Sequence, residues 1–187
     1  MDSQTLEALA EAALEPRPRH LEAIAYPDAR ERGEPYYHFL YLLARALKPH
    51  VIVELGTYIG TSAKCLAAGA PAATVTTYDV NADAARQVAK SPVYPNLKAK
   101  TGNACYVVYK GQPIDLLYID ADHSYNQSLG EWERWLPHVR SGGCIVIDDT
   151  DLDDEMRRFV AYVRSQGFDV TDLPGLHHTG FSVTTKP

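Results

Sequence analysis

Acidic residues and a histidine stand directly after two apolar, β-rich segments of the sequence. The first segment is followed by DADH (residues 120–123), and the second ends in Asp148-Asp149. If these segments are neighbouring parallel strands, the carboxylates of Asp120, Asp148 and Asp149 meet at one sheet edge and repel one another unless a cation or protons intervene. Hard oxygen ligands with room for water suit Mg²⁺, with Mn²⁺ and Ca²⁺ as alternatives. The spacing therefore predicts a metal site on these three residues.

The same acids have a structural alternative, because the run DDTDLDDE (residues 148–155) precedes a predicted helix. Asp149 or Asp151 can cap that helix by accepting hydrogen bonds from its first N–H groups, and the other acids can complement its dipole. Asp122 is interpreted as solvated or as an N-cap. Metal binding and helix capping both remain open at this point.

A loop with two glycines follows the first β-rich segment, VIVEL (residues 51–55). Gly56 and Gly60 permit a tight turn and a close approach of the backbone to a ligand, and the helix that begins near Ser62 offers free N–H groups. The spacing is GxxxG, not the GxGxxG of dinucleotide-binding folds, and Glu54 precedes it. A carboxylate here repels a pyrophosphate but suits a cationic amino acid or sulfonium ligand, which favours S-adenosylmethionine (SAM) over NAD.

Asp79 ends the next β-rich segment, 23 residues after Gly56. An acidic residue at this place can bind both hydroxyls of a ribose. A glycine turn after a strand also has a purely structural explanation. Together with Glu54 and Asp79, however, the loop predicts a cofactor site.

The loop ELGTYIGTS resembles the first motif of class I SAM-dependent methyltransferases, and Tyr58 and Ser62 are similar to the catechol and caffeoyl-CoA O-methyltransferase group. The resemblance continues through YIDADHSYNQSLGEWERWLPHVRSGGCIVIDDT, which is similar to small bacterial methyltransferases that include macrolide-sugar O-methyltransferases. It covers about Val51 to Thr150. By position it places seven residues around SAM: Glu54, Gly56, Tyr58, Ser62, Asp79, Asn103 and Asp120. The predicted cofactor site also includes their neighbours Thr57, Gly60 and Ala104. At Asn103 the family often has an aspartate near the adenine.

The resemblance also implies roles for the acidic cluster. Metal-dependent relatives take one ligand from the aspartate at Asp120 and two from the pair at Asp148-Asp149. Catechol-type relatives carry a lysine at the position of His123, where it takes the substrate proton. Histidine has an unperturbed pKa near 6.5 and can serve as a base at neutral pH, although His123 can alternatively bond SAM or cap the helix that begins at Ser124.

We therefore predict an S-adenosylmethionine-dependent methyltransferase that O-methylates a small-molecule hydroxyl with Mg²⁺, on a catechol or vicinal diol. His123 and Asp120 are its predicted catalytic residues. The alternatives are a metal-independent O- or N-methyltransferase and a SAM-binding module without catalysis. The remaining histidine pair, His177 and His178, lies in the loop PGLHHT. We interpret these histidines as exposed or as contacting the substrate at the mouth of the site.

The elements that must position these residues form an alternating series. Short β-rich runs separated by helical segments predict an α/β fold, a Rossmann-like doubly wound seven-stranded sheet that is mostly parallel. The last two strands lack an intervening helix and predict an antiparallel C-terminal hairpin. Two earlier helices, Thr5–Leu14 and Tyr36–Leu47, are separated by predicted loops at residues 16–20 and 26–35. They make residues 1–49 a helical cap, either a lid or a packed helix, on a core of residues 50–187 in one domain.

Composition limits the functions further. The chain has 187 residues, 45% of them apolar, and a net charge of −6 without a basic cluster, which disfavours nucleic acid. We expect no membrane span, a cytoplasmic location and a small-molecule acceptor substrate, with a homodimer as one option for the assembly. The three cysteines, at positions 65, 105 and 144, form no CxxC pair and are predicted to be reduced and buried. Tyr36, Tyr37, Tyr41 and Tyr125 are interpreted as packing residues, with an aromatic substrate wall as the alternative.

Overall fold

The computed structural model describes residues 1–15, 35–89 and 93–187. The predicted loop at residues 16–20 and most of the one at 26–35 lie outside this part. The strands are β1 (Val51–Leu55), β2 (Thr74–Asp79), β3 (Leu97–Thr101), β4 (Ile114–Ile119), β5 (Val139–Asp148), β6 (Val170–Asp172) and β7 (Phe181–Thr185). The helices are α1 (Ser3–Leu14), α2 (Pro35–Leu47), α3 (Thr61–Gly69), α4 (Ala82–Ala89), α5 (Tyr125–Trp135) and α6 (Asp154–Ser165), with a 3₁₀ turn at Leu136–His138.

The strands form one seven-stranded sheet in the order β3-β2-β1-β4-β5-β7-β6. The first five strands in this order pair in parallel, whereas β7 pairs antiparallel with both β5 and β6. The predicted α/β sheet and its antiparallel C-terminal hairpin are therefore confirmed. Strand β5 begins at Val139, four residues before the apolar run GCIVID, because Val139 already pairs with Ile114 of β4.

The strand order reverses between β1 and β4, which lie side by side. From β1 the chain continues outward to β2 and β3, and from β4 it continues outward in the opposite direction to β5. In open α/β sheets a ligand binds beyond the carboxyl ends of the strands at such a switch point. Two hydrogen bonds tie these ends together: Gly56 N–H donates to Tyr78 O at 2.8 Å, and Asp120 N–H donates to Leu55 O at 2.8 Å. The loops after β1, β2 and β4 are thus held at one edge.

Alternate residues of β1 face two separate apolar cores, one on each side of the sheet. Ile52 belongs to the core that also contains residues of α1, α2 and α3, whereas Val53 and Leu55 belong to the core with Trp132 and Trp135 of α5. The two tryptophans are buried packing residues. Helices therefore cover both faces, as a parallel sheet requires.

The N-terminal helices belong to the first core. Leu6, Ala10 and Ala13 of α1 are buried, and nearly all of the first ten residues of α2 are buried as well. Helix α1 begins two residues earlier than the predicted Thr5, because the side chain of Asp2 caps it by accepting the Thr5 N–H at 2.8 Å. The packed-helix alternative therefore describes α1 and α2.

Two further expectations concern the described residues. Cys65 and Cys144 are buried free thiols as predicted, while Cys105 is partly exposed. Within the described ranges, the longest and most apolar helices still fall short of what a membrane crossing requires.

Candidate active site

A cavity of about 760 Å³ lies over the carboxyl ends of the strands. Most predicted site residues line it: Gly56, Thr57, Tyr58, Ser62, Asp79, Asn103, Ala104, Asp120, His123, Asp148 and Asp149. Glu54 and Gly60 are not part of its wall. The fold thus brings the glycine loop and the acidic cluster to one cavity.

The backbone conformation and the surroundings of the glycine loop disfavour side chains at Gly56 and Gly60. Gly56 has φ +96°, and a Cβ added there would lie 1.7 Å from the backbone oxygen of Asp120. Gly60 has φ +77°, and its added Cβ would lie 2.4 Å from Cγ2 of Val88. Both positions therefore need glycine for conformation and for space. Between them, Tyr58 adopts φ 44°, an uncommon conformation for a residue with a side chain.

Asp79 organises the same loop from the end of β2. Its Oδ2 accepts the N–H groups of Thr57 at 3.0 Å and Tyr58 at 2.8 Å, while its Oδ1 accepts the N–H of Asn81 at 2.7 Å. A carboxylate can accept about four hydrogen bonds, so capacity for a ligand hydroxyl remains. The position is the one that sequence analysis assigned to the ribose.

Glu54 lies beneath the loop, and its side chain is completely buried. Neither carboxylate oxygen meets a donor at hydrogen-bonding geometry among the described residues. Burial raises the pKa of Glu54 to about 8, and the nearby hydroxyls of Ser62 and Thr77 lower it only in part. Burial therefore favours the protonated form of Glu54 in the ligand-free protein, and the residue lies below the loop without lining the cavity.

Asn103 and Ala104 form the side of the cavity beyond β3. The side-chain oxygen of Asn103 accepts the N–H of Cys105 at 2.9 Å, which fixes its amide group. The indole nitrogen of Trp135 donates to the backbone oxygen of Ala104 at 2.9 Å. A buried core residue thus holds this loop against the cavity.

The acidic cluster is organised by a tyrosine that sequence analysis did not identify. The hydroxyl of Tyr118 lies 2.8 Å from Oδ2 of Asp148 and 3.0 Å from Oδ2 of Asp120. Burial raises the pKa of Asp120, and the charge of Asp148 adds to the effect. Tyr118 and Asp120 are two residues apart at the end of β4, so their side chains point to the same face of the sheet. A tyrosine two positions before an acid at the end of a strand was therefore the sequence signal that could have identified Tyr118.

Asp149 lies at the centre of the cluster in a left-handed conformation, with φ 54°. Thr179 donates its hydroxyl hydrogen to Oδ1 of Asp149. Nε2 of His123 lies 2.9 Å from Oδ2 of Asp149 and 3.6 Å from Oδ1 of Asp120. Burial alone would raise the pKa of Asp149, but the His123 and Thr179 contacts outweigh it and lower the value below its usual range.

The charges around His123 determine its protonation. Burial lowers its pKa, but the carboxylates of Asp120 and Asp149 outweigh burial and raise the pKa to about 10. His123 is therefore an imidazolium at neutral pH in the ligand-free protein. It does not cap α5, since Asp122 Oδ1 accepts the Ser124 N–H at 2.9 Å instead.

His177 is not exposed and fits the alternative interpretation of the PGLHHT loop, a position at the mouth of the site, because it lines the cavity. Its side chain is only 13% exposed, its Nδ1 lies 2.8 Å from Oδ1 of Asp148, and its ring packs on Tyr36 with centroids 4.6 Å apart. His178 is exposed, as expected. The two rings lie edge to face, with centroids 4.9 Å apart, and the His177 ring turns inward and joins the acidic cluster.

The donor set fits a divalent cation. One ligand atom from each residue lies within 4.8 Å of the others in two groups, Asp120-His123-Asp149 and Asp148-Asp149-His177. The three predicted carboxylates are thus divided between two groups that share Asp149, and each group includes a histidine. Carboxylate oxygens suit Mg²⁺, whereas imidazole nitrogen suits transition-metal ions better.

The helix-capping alternative falls on other residues. The N-cap of α6 is Asp153, whose side chain accepts the N–H of Met156 at 3.0 Å. Neither Asp149 nor Asp151 takes this role. Of the four tyrosines interpreted as packing residues, with an aromatic wall as the alternative, Tyr36 and Tyr37 line the cavity, whereas Tyr125 packs under Arg158.

Comparisons with known proteins agree with this geometry. The chain is 34% identical over 118 residues to catechol O-methyltransferase of Mycobacterium tuberculosis, a match that covers 59% of this chain and 53% of that protein. The chain spans about half the length, or less, of the curated relatives it matches. An O-methyltransferase from Bacillus cereus in complex with SAH shares the fold, with 21% identity, 97% of both chains covered and a TM-score of 0.72. The cofactor-bound Rv0187 from MTB is 26% identical, with 97% of this chain and 88% of that chain covered and a TM-score of 0.68. Residues 53–150, just over half of the 187-residue chain, match the family described as methyltransferase domain, and the protein belongs to that family.

Proposed function

We propose that the protein binds SAM and transfers its methyl group to a hydroxyl oxygen of a small molecule. The observation that carries this proposal is the single cavity that joins the loop of Gly56–Gly60 and Asp79 to the cluster of Asp120, His123 and Asp149. One half suits a nucleoside with a cationic amino-acid part, and the other half suits an acceptor that must lose a proton. The catechol O-methyltransferase relative and the SAH-bound structural neighbour support the same reaction.

In the cofactor half, Asp79 binds the ribose hydroxyls, and the N–H groups at the start of α3 bind the carboxylate of the methionine part. A positive sulfonium lowers the pKa of buried Glu54, and the carboxylate that then forms favours the sulfonium over a neutral sulfur because water does not screen its charge. These contacts orient the methyl group for in-line displacement by the acceptor oxygen.

In the acceptor half, we propose a divalent cation, Mg²⁺ in the first instance, held by Asp120, Asp148 and Asp149. When bound, such a cation lowers the pKa of a coordinated hydroxyl and orients it. Acceptors with two adjacent oxygens, such as catechols or sugar diols, use this arrangement best. Tyr36 and His177, whose rings pack on each other, form the adjoining aromatic wall.

His123 is the proposed base. Its protonated form is stabilised by the carboxylates of Asp120 and Asp149, so a cation held by these two residues would oppose protonation of His123. The pKa of His123 would then fall towards the range in which a histidine accepts a proton at neutral pH. This connection explains why a histidine and the carboxylates occupy one cluster.

A second candidate is a metal-independent methyltransferase. The specific observation in its favour is the His123 imidazolium, which already places a positive charge between Asp120 and Asp149. In that case the cluster binds the acceptor through hydrogen bonds, and His123 orients the acceptor oxygen.

Ligand-dependent melting temperatures test the proposal and separate its two forms. We expect SAH alone to raise the melting temperature, and catechol to raise it further only when Mg²⁺ is present. Equal stabilisation by catechol with Mg²⁺ and with EDTA selects the metal-independent form. No stabilisation by SAH contradicts SAM binding.

A further inference from the structure

Glu131 of α5 places a buried carboxylate in the wall of the cavity. Its side chain is fully buried, yet Glu131 lines the space that we assign to SAM. Its Oε1 accepts a hydrogen bond from Nε2 of Gln127 at 2.9 Å. Its Oε2 has no hydrogen-bond partner in the described part of the chain. A buried oxygen without a donor is costly, so this atom calls for a ligand N–H or O–H group.

Gln127 connects this carboxylate to Asn103. The amide nitrogen of Gln127 also lies 3.4 Å from Oδ1 of Asn103, so its two hydrogens serve Glu131 and Asn103. Oδ1 of Asn103 also accepts the Cys105 N–H, which turns the Asn103 NH₂ group away from these partners. Among the described residues, that NH₂ group donates to none. Asn103 and Glu131 therefore offer a donor and an acceptor to the same cavity, on either side of Gln127.

The position of this pair follows from the sheet. Asp79, at the end of β2, pairs in register with Thr101 at the end of β3, and Gly102 N–H donates to Asp79 O at 2.8 Å. A ribose on Asp79 therefore places its base next to Asn103. Val80, which is 68% exposed and also lines the cavity, offers an apolar face to that base.

The chemistry of the pair matches adenine. The edge of adenine that carries the exocyclic amino group presents an N–H donor beside a ring-nitrogen acceptor. An N–H donor completes the bonding of Oε2 of Glu131, and the NH₂ group of Asn103 completes the ring nitrogen. A base with a 6-oxo group and a protonated ring nitrogen, as in inosine, presents the reverse pattern and would be repelled at both atoms.

We infer that Glu131 is the residue that selects adenine in the cofactor, through a hydrogen bond from the exocyclic amino group to its free carboxylate oxygen. Gln127 acts as a positioning residue that holds Glu131 and Asn103 in register. This inference rests on the proposed SAM binding and adds the group that reads the base. Burial raises the pKa of Glu131 to about 7, consistent with a carboxylate whose ionised form lacks a donor in the ligand-free protein.

Titration calorimetry at pH 8 with SAH and with S-inosylhomocysteine, its 6-oxo analogue, tests the inference. Wild-type protein is expected to bind SAH at least ten-fold more tightly than the analogue, because the discriminating bond involves a charged group. Glu131→Gln and Glu131→Met should each weaken SAH binding by about ten-fold, whereas binding of the analogue should be unchanged or tighter because its repulsion by the carboxylate is removed. Glu133→Gln, an exposed change on the same helix, should alter neither ligand.

The outcomes separate two failures. If wild-type protein binds SAH and the Glu131 variants weaken both ligands equally, or neither, the inference is wrong while SAM binding stands. If wild-type protein binds neither ligand, the proposed function itself fails and the inference fails with it. Melting curves of the ligand-free variants show whether a substitution impairs folding. If it does, the wild-type protein alone decides: equal affinities for SAH and the analogue overturn the inference.

Discussion

Nε2 of His123 lies 2.9 Å from Oδ2 of Asp149, and this contact places a cationic ring inside the acidic cluster. The pair joins the loop after β4 to the end of β5, so the geometry depends on the parallel pairing of these strands. Asp149 adopts a left-handed conformation, with φ 54°, which aspartate tolerates better than most residues with a side chain.

Replacing His123 should separate chemistry from cofactor binding. We expect His123→Ala to lower kcat by roughly 10²- to 10⁴-fold, the usual contribution of general acid–base catalysis, while the Kd for SAH changes less than about threefold. His178→Ala, at the exposed neighbour of His177, is the matched control and should keep full activity. Steady-state kinetics with calorimetry provides both numbers, and unchanged turnover of the His123 variant would exclude a catalytic role.

The buried carboxylate of Glu54 predicts a pH dependence of stability. Folding raises its pKa from 4.5 to about 8, so the folded state favours the protonated form. The contribution of Glu54 is most favourable below pH 4.5 and is lost progressively as the pH rises through 8, by at most about 1.4 kcal/mol per pH unit. Glu54→Gln removes this loss. The ligand-free variant should therefore be more stable than wild type at pH 8 and about equally stable at pH 5.

Urea denaturation at the two pH values checks this difference. The same variant should lose affinity for SAM more than for SAH, because only SAM carries the sulfonium charge that Glu54 favours. A variant that is less stable at pH 8, or that loses both ligands equally, argues against the assigned electrostatic role.

Gly56 should tolerate no side chain. An added Cβ would lie 1.7 Å from the backbone oxygen of Asp120, so Gly56→Ala must displace the loop after β4 as well as its own. We expect a loss of about 3 kcal/mol or more in the free energy of unfolding, and loss of SAH binding. Gly167→Ala is the control: its φ is +87°, but no atom lies within 4 Å of the added Cβ. It reports backbone strain alone, about 1 kcal/mol, and equal effects of the two changes would contradict the clash.

Asp79 should act on the cofactor and on the loop together. Asp79→Asn removes a charged acceptor from the N–H groups of Thr57 and Tyr58 as well as from the ribose. We expect the Kd for SAH to rise roughly 10- to 100-fold, from the loss of charge-assisted hydrogen bonds. Asp83→Asn, an exposed acid on α4, serves as the control. Retention of wild-type affinity by the Asp79 variant would disprove the ribose assignment.

Periodicity and turn residues predicted most of the fold. Strands alternate with helical segments along the chain, and the missing helix before β7 was sufficient to predict the antiparallel hairpin. Gly56, Gly60 and Asp79 were identifiable because each follows a strand, where ligands bind. All of these signals come from residues that are close to one another in the sequence, so they can be recognised without the structure.

The parts that were missed depend on residues far apart in sequence. Tyr118 contacts Asp148, and His177, from the loop before β7, contacts the same carboxylate. Thr179 and Glu131 likewise acquire their roles from packing between elements. A sequence pattern shows which residues end strands, but not which distant side chain turns towards them. For that reason the sequence did not decide whether the histidine loop is exposed or lies at the mouth of the site.

The transfer of an isotopically labelled methyl group from SAM to catechol, followed by mass spectrometry in the presence of Mg²⁺, tests the central claim most directly. We predict one labelled methyl group on a catechol oxygen for each SAH formed, with the signal abolished in His123→Ala and strongly reduced by Asp148→Asn. SAH binding with no labelled product, from catechols and from sugar diols alike, would contradict the proposed O-methyl transfer.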